Sequence, residues 1–211
     1  FHHVLKGIRN GAKLVVVDPR RTSSARFADL WLGLNIGSDI ALSHTIAREI
    51  IVSGLHNRAF IENGTSDFAS YQAAVMDWTL ERGERVTGIP AASIRELAHM
   101  YARADRAILC WTLGITEHHN AVDNVLALIN LGLLTGHVGR YGSGLNPLRG
   151  QNNVQGGGDM GAIPNKLPGF QDIEKGAAER KRFGAAGGVP IIPSYGLNLT
   201  QRFDSMEHGD L

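Results

Sequence analysis

Two short apolar runs constrain the fold most. Residues 13–17 read Lys-Leu-Val-Val-Val and residues 106–111 read Arg-Ala-Ile-Leu-Cys-Trp. Each is too short for a stable helix, and neither alternates with polar residues as a half-wet strand would. Unbroken apolar strands of this kind suit a parallel sheet covered by helices on both faces. Helical patterns surround them. Phe1–Asn10 carries Val4, Leu5 and Ile8 on one face and stops at Gly11. A third strand, Ala28–Leu34, alternates Leu30, Leu32 and Leu34. It precedes a helix with Ile40, Leu42, Ile46, Ala47, Ile50 and Ile51 on its apolar face. Residues 57–88 read as mostly helical and amphipathic, Thr87-Gly88-Ile89-Pro90 as a break, and Ala91–Ala104 as a helix with Ile94, Leu97, Ala98 and Tyr101 on one stripe. Asn120–Gly136 has the strongest helical pattern, with Val122, Val125, Leu126, Ile129, Leu133 and Leu134 as its apolar positions. This order is that of βαβ units. It predicts an α/β fold with a doubly wound, mainly parallel sheet flanked by helices.

Open sheets of this class bind ligands beyond the carboxyl ends of their strands. Asp18-Pro19-Arg20-Arg21-Thr22 follows the first run directly. An acidic residue there can accept from ribose hydroxyls, and an arginine can meet phosphate or stack on a base; a solvated charged loop is the alternative. Asn35-Ile36-Gly37-Ser38-Asp39 opens the next helix, where cap and ligand roles compete for Ser38 and Asp39 and the local sequence favours a plain cap. Thr112 to His119 follows the run at 106–111 in the same way. His118 and His119 are adjacent, with no carboxylate or cysteine at a helical ligand spacing, so no metal site is assigned to them.

The stretch Gly142–Gly161 is of another kind. It holds seven glycines and a single cation, Arg149, among asparagines and glutamines, and it shows neither helical nor strand periodicity. Glycines let a ligand approach the backbone, and amides donate and accept without charge. A long loop of this composition is functional or disordered, and Leu145, Leu148, Val154 and Met160, spaced through it, favour an anchored loop. Gly156, Gly158 and Gly161 fit G-x-G-x-x-G, but they follow a polar loop rather than a strand, so no nicotinamide site is assigned.

A net charge of +1 argues against nucleic acid as a partner. No apolar run reaches the length of a membrane span and no signal peptide is visible, so no membrane insertion is expected and the expected compartment is the cytoplasm. The single cysteine, Cys110, lies in an apolar run and reads as a small buried core residue. Beyond Gly161 the chain is punctuated by proline and glycine, and only Ile173–Phe183 reads as a helix. The expected organisation is a dinucleotide-binding-like α/β domain over residues 1–151, incomplete at its N-terminal side, and a segment of a second α/β domain over 152–211.

Asn-Pro-Leu-Arg-Gly-Gln-Asn-Asn-Val-Gln-Gly at 146–156, followed by Asp-Met-Gly-Ala-Ile-Pro and Pro-Gly-Phe-Gln, resembles the signature of molybdopterin-dependent formate dehydrogenases. The resemblance implies an internal part of a catalytic subunit. In that family two molybdopterin guanine dinucleotides (bis-MGD) hold molybdenum or tungsten, formate is oxidised to carbon dioxide, and electrons pass through a 4Fe-4S cluster to an electron-transfer subunit or acceptor. Val-Asp-Pro-Arg-Arg-Thr is similar to the family's guanosine-side loop, which implies cofactor contacts at Asp18 and Arg20. Gly-Ser-Asp at 37–39 is similar to its Gly-Thr-Asp segment, which implies contacts at Gly37 and a guanine-edge partner at Asp39. Gly-Ile-Thr-Glu at 114–117 is similar to its Gly-Ile-Thr-Gln loop beside a pterin, which implies contacts at Gly114 and Glu117; Glu117 replaces an amide and cannot donate unless protonated. Arg149 matches the substrate-orienting arginine, and Gln151 a further pterin or substrate contact. The metal-ligating cysteine or selenocysteine, the histidine beside it and the cluster cysteines are implied to lie in the rest of the same polypeptide, so these 211 residues alone are expected to be inactive. Another oxidoreductase of the superfamily such as a nitrate reductase, a non-catalytic relative, and a generic nucleotide-binding module are the alternatives.

Overall fold

The apolar runs are strands, and they pair in parallel. The computed structural model describes residues 1–209, and the chain divides into two units, Phe1–Leu148 and Arg149–Leu211. In the first unit, helix α1 (His2–Arg9) leads to β1 (Val15–Val17), and a 3-10 turn (Ser23–Phe27) leads to β2 (Leu30–Leu32). β1 and β2 are parallel, with Val16 beside Trp31. Then come α2 (Asp39–Val52), α3 (Arg58–Gly64), α4 (Phe68–Val75), α5 (Leu80–Thr87) and α6 (Ala91–Arg103). Strand β3 (Ile108–Trp111), the one-turn helix α7 (Leu113–Thr116), α8 (Ala121–Thr135) and β4 (Gly144–Pro147) complete the unit. β3 and β4 are again parallel, with Leu109 beside Leu145. The parallel α/β reading therefore holds, with the sheet present among the described residues as two short pairs.

α2 is the hub. Ala47 and Ile50 are fully buried, and Leu42, Ile46 and Ile51 nearly so. Val75 of α4, Leu80 of α5 and Ile94 and Ala98 of α6 close around it, with Ile89 from the break before α6. Each such aliphatic side chain removed from water contributes about 1.5–3 kcal/mol. The region expected to be mostly helical, 57–88, holds three helices. Asn57 accepts from the Phe60 N–H at 3.0 Å and Thr79 from the Arg82 N–H at 3.2 Å. Each cap satisfies an amide that would otherwise be orphaned and so starts a helix where the hydrophobic pattern alone runs on.

Three expectations for this unit are corrected. α8 buries Asn124, Ala127, Leu131, Gly132, Leu134 and Thr135, whereas Val122 is 72% exposed and Leu126 also lies outside. A helix apolar nearly all round does not reveal its face by periodicity. Close approach selects it: a Cβ at Gly132 would stand 2.9 Å from Leu145 of β4. Cys110 is exposed rather than buried, because β3 is covered on one face only; Ile108, two residues earlier, is 59% exposed. The stretch from Gly142 is not devoid of strand, since β4 forms from Gly-Leu-Asn-Pro by backbone pairing to β3, with Pro147 at its last position where a missing N–H is tolerated.

The second unit contains α9 (Val154–Asp159), an antiparallel pair β5 (Lys166–Leu167) and β6 (Gln171–Asp172), α10 (Ala177–Gly187) and α11 (Leu199–His208). α9 falls inside the supposedly aperiodic stretch; its three glycines carry no side-chain signal. The helix expected at Ile173–Phe183 begins later, at Ala177. Asp172 accepts from the Glu174 and Lys175 N–H groups and holds that segment as a turn instead. α11 was not expected. It is started by a capping box in which Asn198 accepts from the Gln201 N–H and Gln201 from the Asn198 N–H, both at 2.9 Å.

Candidate functional site

The loops singled out in the first unit leave the carboxyl edges of the two parallel pairs. Asp18 extends the β1–β2 ladder by one bond, its N–H donating to the Leu32 carbonyl at 3.1 Å. Its carboxylate then accepts from the Arg20 N–H at 2.7 Å, turning the chain away from the strand. Trp31 of β2 braces the turn. Its indole Nε1–H donates to the Asp18 carbonyl at 3.1 Å, and the Arg21 guanidinium lies 5.7 Å from the ring centroid. Arg20 is exposed, and its guanidinium has no hydrogen-bond partner among the described residues.

From the end of β2 the chain runs through Asn35 to Asp39. Asn35 fixes this loop to α5, its N–H donating to the Thr87 carbonyl at 2.7 Å and its Nδ2 to the Val86 carbonyl at 3.0 Å. Gly37 takes a φ of +82°, a conformation that glycine adopts without strain. Ser38 occupies the cap position of α2, but its hydroxyl donates to the Asn35 carbonyl at 2.6 Å rather than accepting from the helix. Asp39 is the first residue of α2, half-buried, and its carboxylate is unpartnered among the described residues. The plain cap that the local sequence favours is therefore not made by either side chain. A carboxylate in the first helical turn is favoured by the helix dipole.

From the end of β3 the chain enters α7. Gly114 is exposed, and a Cβ built on it would meet no heavy atom within 4 Å, so the backbone there is open to a flat group. Glu117 closes α7, its N–H donating to the Leu113 carbonyl at 2.8 Å, and its exposed carboxylate is unpartnered among the described residues. Beside this loop, β4 ends with the Leu148 N–H donating to the Trp111 carbonyl at 2.7 Å. Arg149 is the next residue and the first of the second unit. Arg149 and Gln151 are both exposed, with side chains unpartnered among the described residues. No group of three or more His, Cys, Asp or Glu suited to a metal ion occurs among the described residues.

The first unit thus brings Asp18 and Arg20 to the same sheet edge as Gly37 and Asp39, and Gly114 and Glu117 to the corresponding edge of the other pair. Sequence reasoning missed the side chains that hold these loops: Trp31, Asn35 and, under α7, Asn124. Asn124 left a readable signal, an amide three and seven residues before Ala127 and Leu131 on a stripe that turns out to be buried.

A profile of the molybdopterin oxidoreductase family matches residues 2–201. The chain belongs to that family. It is 40% identical over all its 211 residues to formate dehydrogenase H of Escherichia coli, of which it covers 29%. It is 46% identical over 170 residues, 81% of its length, to the alpha subunit of formate dehydrogenase 2 of Methanococcus maripaludis, covering 25% of that protein. A third formate dehydrogenase alpha subunit, from Methanocaldococcus jannaschii, is 37% identical over 95% of this chain and 29% of its own. Among solved structures, acetylene hydratase from Pelobacter acetylenicus superposes with a TM-score of 0.65 and 30% identity over 67% of this chain and 20% of that one. The chain spans less than a third of the curated relatives it matches. The family implies a molybdopterin cofactor with molybdenum or tungsten. The donor set fits such a group: unpartnered carboxylates for pterin N–H groups, an unpartnered guanidinium at Arg20 for phosphate, and a backbone open at Gly114. No helix among the described residues is long and apolar enough to cross a membrane.

Proposed function

We propose that this chain is part of the catalytic subunit of a formate dehydrogenase that carries a bis-MGD centre. The observation that carries the reading is the unpartnered Arg149, the one charged residue of the glycine- and amide-rich run 142–158, in a chain whose relatives include several formate dehydrogenases. Formate is a small monoanion, and its oxidation to carbon dioxide releases one proton and an electron pair. When bound, the molybdopterin centre supplies the acceptor for that pair. The planar fork of Arg149 meets both oxygens of the formate carboxylate and fixes its orientation, which a point charge on lysine does not. Gln151 donates and accepts alongside it.

Asp39 accepts from the N1 and N2 hydrogens of a guanine, Asp18 from ribose hydroxyls, and Arg20 pairs with a phosphate. Gly37 and Gly114 allow the backbone to approach, and Glu117 accepts from a pterin N–H. An amide at position 117 would also donate, so a ring nitrogen or carbonyl facing Glu117 has to find its donor elsewhere. Residues 1–151 form the dinucleotide-binding-like domain in this reading, and 152–211 part of a second. The metal ligand and a 4Fe-4S cluster belong to the rest of a longer, cytoplasmic polypeptide, which hands electrons to a separate subunit or acceptor.

Family membership alone leaves the reaction open, since a similar structure is named a hydratase. The test is dye reduction by the purified full-length parent, with its metal and pterin content measured, in the presence of formate or without it. Formate-dependent reduction by a molybdenum- or tungsten-loaded protein is expected. A metal- and pterin-loaded parent with no formate activity overturns the substrate assignment and leaves the family standing.

A further inference from the structure

We propose that Asn124 is the positioning residue of the α7 loop, setting how Gly114 and Glu117 are presented to the cofactor. The proposal rests on the reading of that loop as a pterin contact. Asn124 lies on the buried face of α8, 3% exposed, in a helix whose other buried positions are mainly aliphatic or small. Asparagine is a poor helix former, and an amide removed from water is costly unless it is hydrogen-bonded. Stability of α8 alone would be better served by leucine or alanine. What the amide does is reach across to the preceding element: its Nδ2–H donates to the Ile115 carbonyl at 3.0 Å.

α7 has little else to hold it. It is one turn of four residues, far below the length at which a helix is stable by itself. It has no side-chain cap, and it contains Gly114 with its wide backbone freedom. Leu113, Gly114, Thr116 and Glu117 are all exposed, and only Ile115 is half-buried. Its internal bonds, Ile115 N–H to the Thr112 carbonyl at 3.0 Å and Glu117 N–H to the Leu113 carbonyl at 2.8 Å, fix its shape but not its place on the molecule. Among the described residues, the bond from Asn124 is the one side-chain hydrogen bond that ties α7 to the helix beneath it. It grips the turn at Ile115, next to Gly114 and two residues before Glu117. A loop that must match a rigid ring system gains affinity by being held beforehand, and loses it when allowed to wander.

The test uses the full-length parent with Asn124→Leu, which keeps the branched shape but removes the donor, and Asn124→Ala, which removes the donor without adding bulk. Pterin per polypeptide, the rate of pterin loss on standing, kcat, KM for formate, and hydrogen exchange at α7 and α8 are compared with wild type. Both variants are expected to keep α8 protected, to loosen α7, and to lose pterin about tenfold faster, as loss of one hydrogen bond implies. kcat should fall with KM for formate changed less than about twofold, since Asn124 does not meet the substrate. Wild-type pterin retention and kcat in both variants overturn the proposal while leaving the formate dehydrogenase reading intact. Loss of α8 protection together with α7 also overturns it, because the residue is then simply part of the core. A wild-type parent without pterin removes both.

Discussion

Gly83 sits where α5 crosses α2, against Thr45. A Cβ added at Gly83 would stand 2.5 Å from both Cγ2 and Oγ1 of Thr45 and 3.0 Å from its Cβ. Thr45 is fully buried and its hydroxyl donates to the Ala41 carbonyl at 2.7 Å. Both branches of its side chain already face the glycine, so a χ1 change exchanges one clash for another. Carbon contacts are favourable from about 3.5 Å, so the two helices must part by about 1 Å. Overpacking of this kind costs about 1–3 kcal/mol, and so close a clash belongs near the upper end. Replacing glycine by alanine inside a helix returns about 1 kcal/mol. Gly83→Ala should therefore destabilise by about 2 kcal/mol. In a Thr45→Ala background both branches are gone, and the same change should stabilise by up to about 1 kcal/mol. Urea unfolding of the four members of the cycle in the 211-residue chain, followed by far-UV circular dichroism, measures both. A stabilising Gly83→Ala in the wild-type background, or an equal cost in both backgrounds, would falsify the packing argument.

Two more perturbations test other parts of the structure. Glu49 of α2 is 5% exposed, and one carboxylate oxygen accepts from Arg95 Nε at 3.1 Å and Ser53 Oγ at 3.3 Å and faces His99 Nε2 at 3.2 Å. Glu49→Gln should cost about 1–2 kcal/mol in urea unfolding, less than for a wholly buried pair because Arg95 is more than half exposed and water can take its charge; no loss of stability would contradict the clasp between α2 and α6. In the second unit, the Lys175 N–H, followed by Lys166 and the Tyr195 hydroxyl, holds the Asp172 carboxyl well below the usual carboxylate range. A lowered folded pKa means that its contribution is complete above the ordinary value of 3.8 and drains as pH falls further. Carbon-detected NMR titration of Asp172 should show ionisation persisting below that value, and a midpoint at the ordinary value would count against the turn that starts α10.

What could be read from the sequence was whatever one residue type or one unbroken run determines. The runs at 13–17 and 106–111 announced parallel strands, and the loops after them were correctly placed at strand ends. α6 buries the stripe its pattern indicated, because it has a polar side, whereas α2 buries the expected aliphatic face and also Ser43, Thr45 and Glu49. α8 does not bury the face its pattern indicated, since that face depends on which residues are small enough to approach β4, and Gly132 carries no hydrophobic signal. β4 and α9 were hidden for a related reason: Gly-Leu-Asn-Pro becomes a strand only through its partner. Cys110 was expected inside because its neighbours are apolar, yet one face of β3 is open. Asn124 could be noticed as an amide on the buried stripe, but its partner could not be read, because a backbone carbonyl is encoded by no side-chain pattern.

Under the proposed function Arg149 orients formate, and Arg149→Lys in the full-length, metal-loaded parent probes that role. Lysine keeps the charge and loses the fork. Steady-state dye reduction should show KM for formate raised about tenfold to a hundredfold, the loss of one charge-assisted hydrogen bond, with a smaller fall in kcat and unchanged pterin content. An unchanged KM in a fully loaded variant would contradict the role of Arg149.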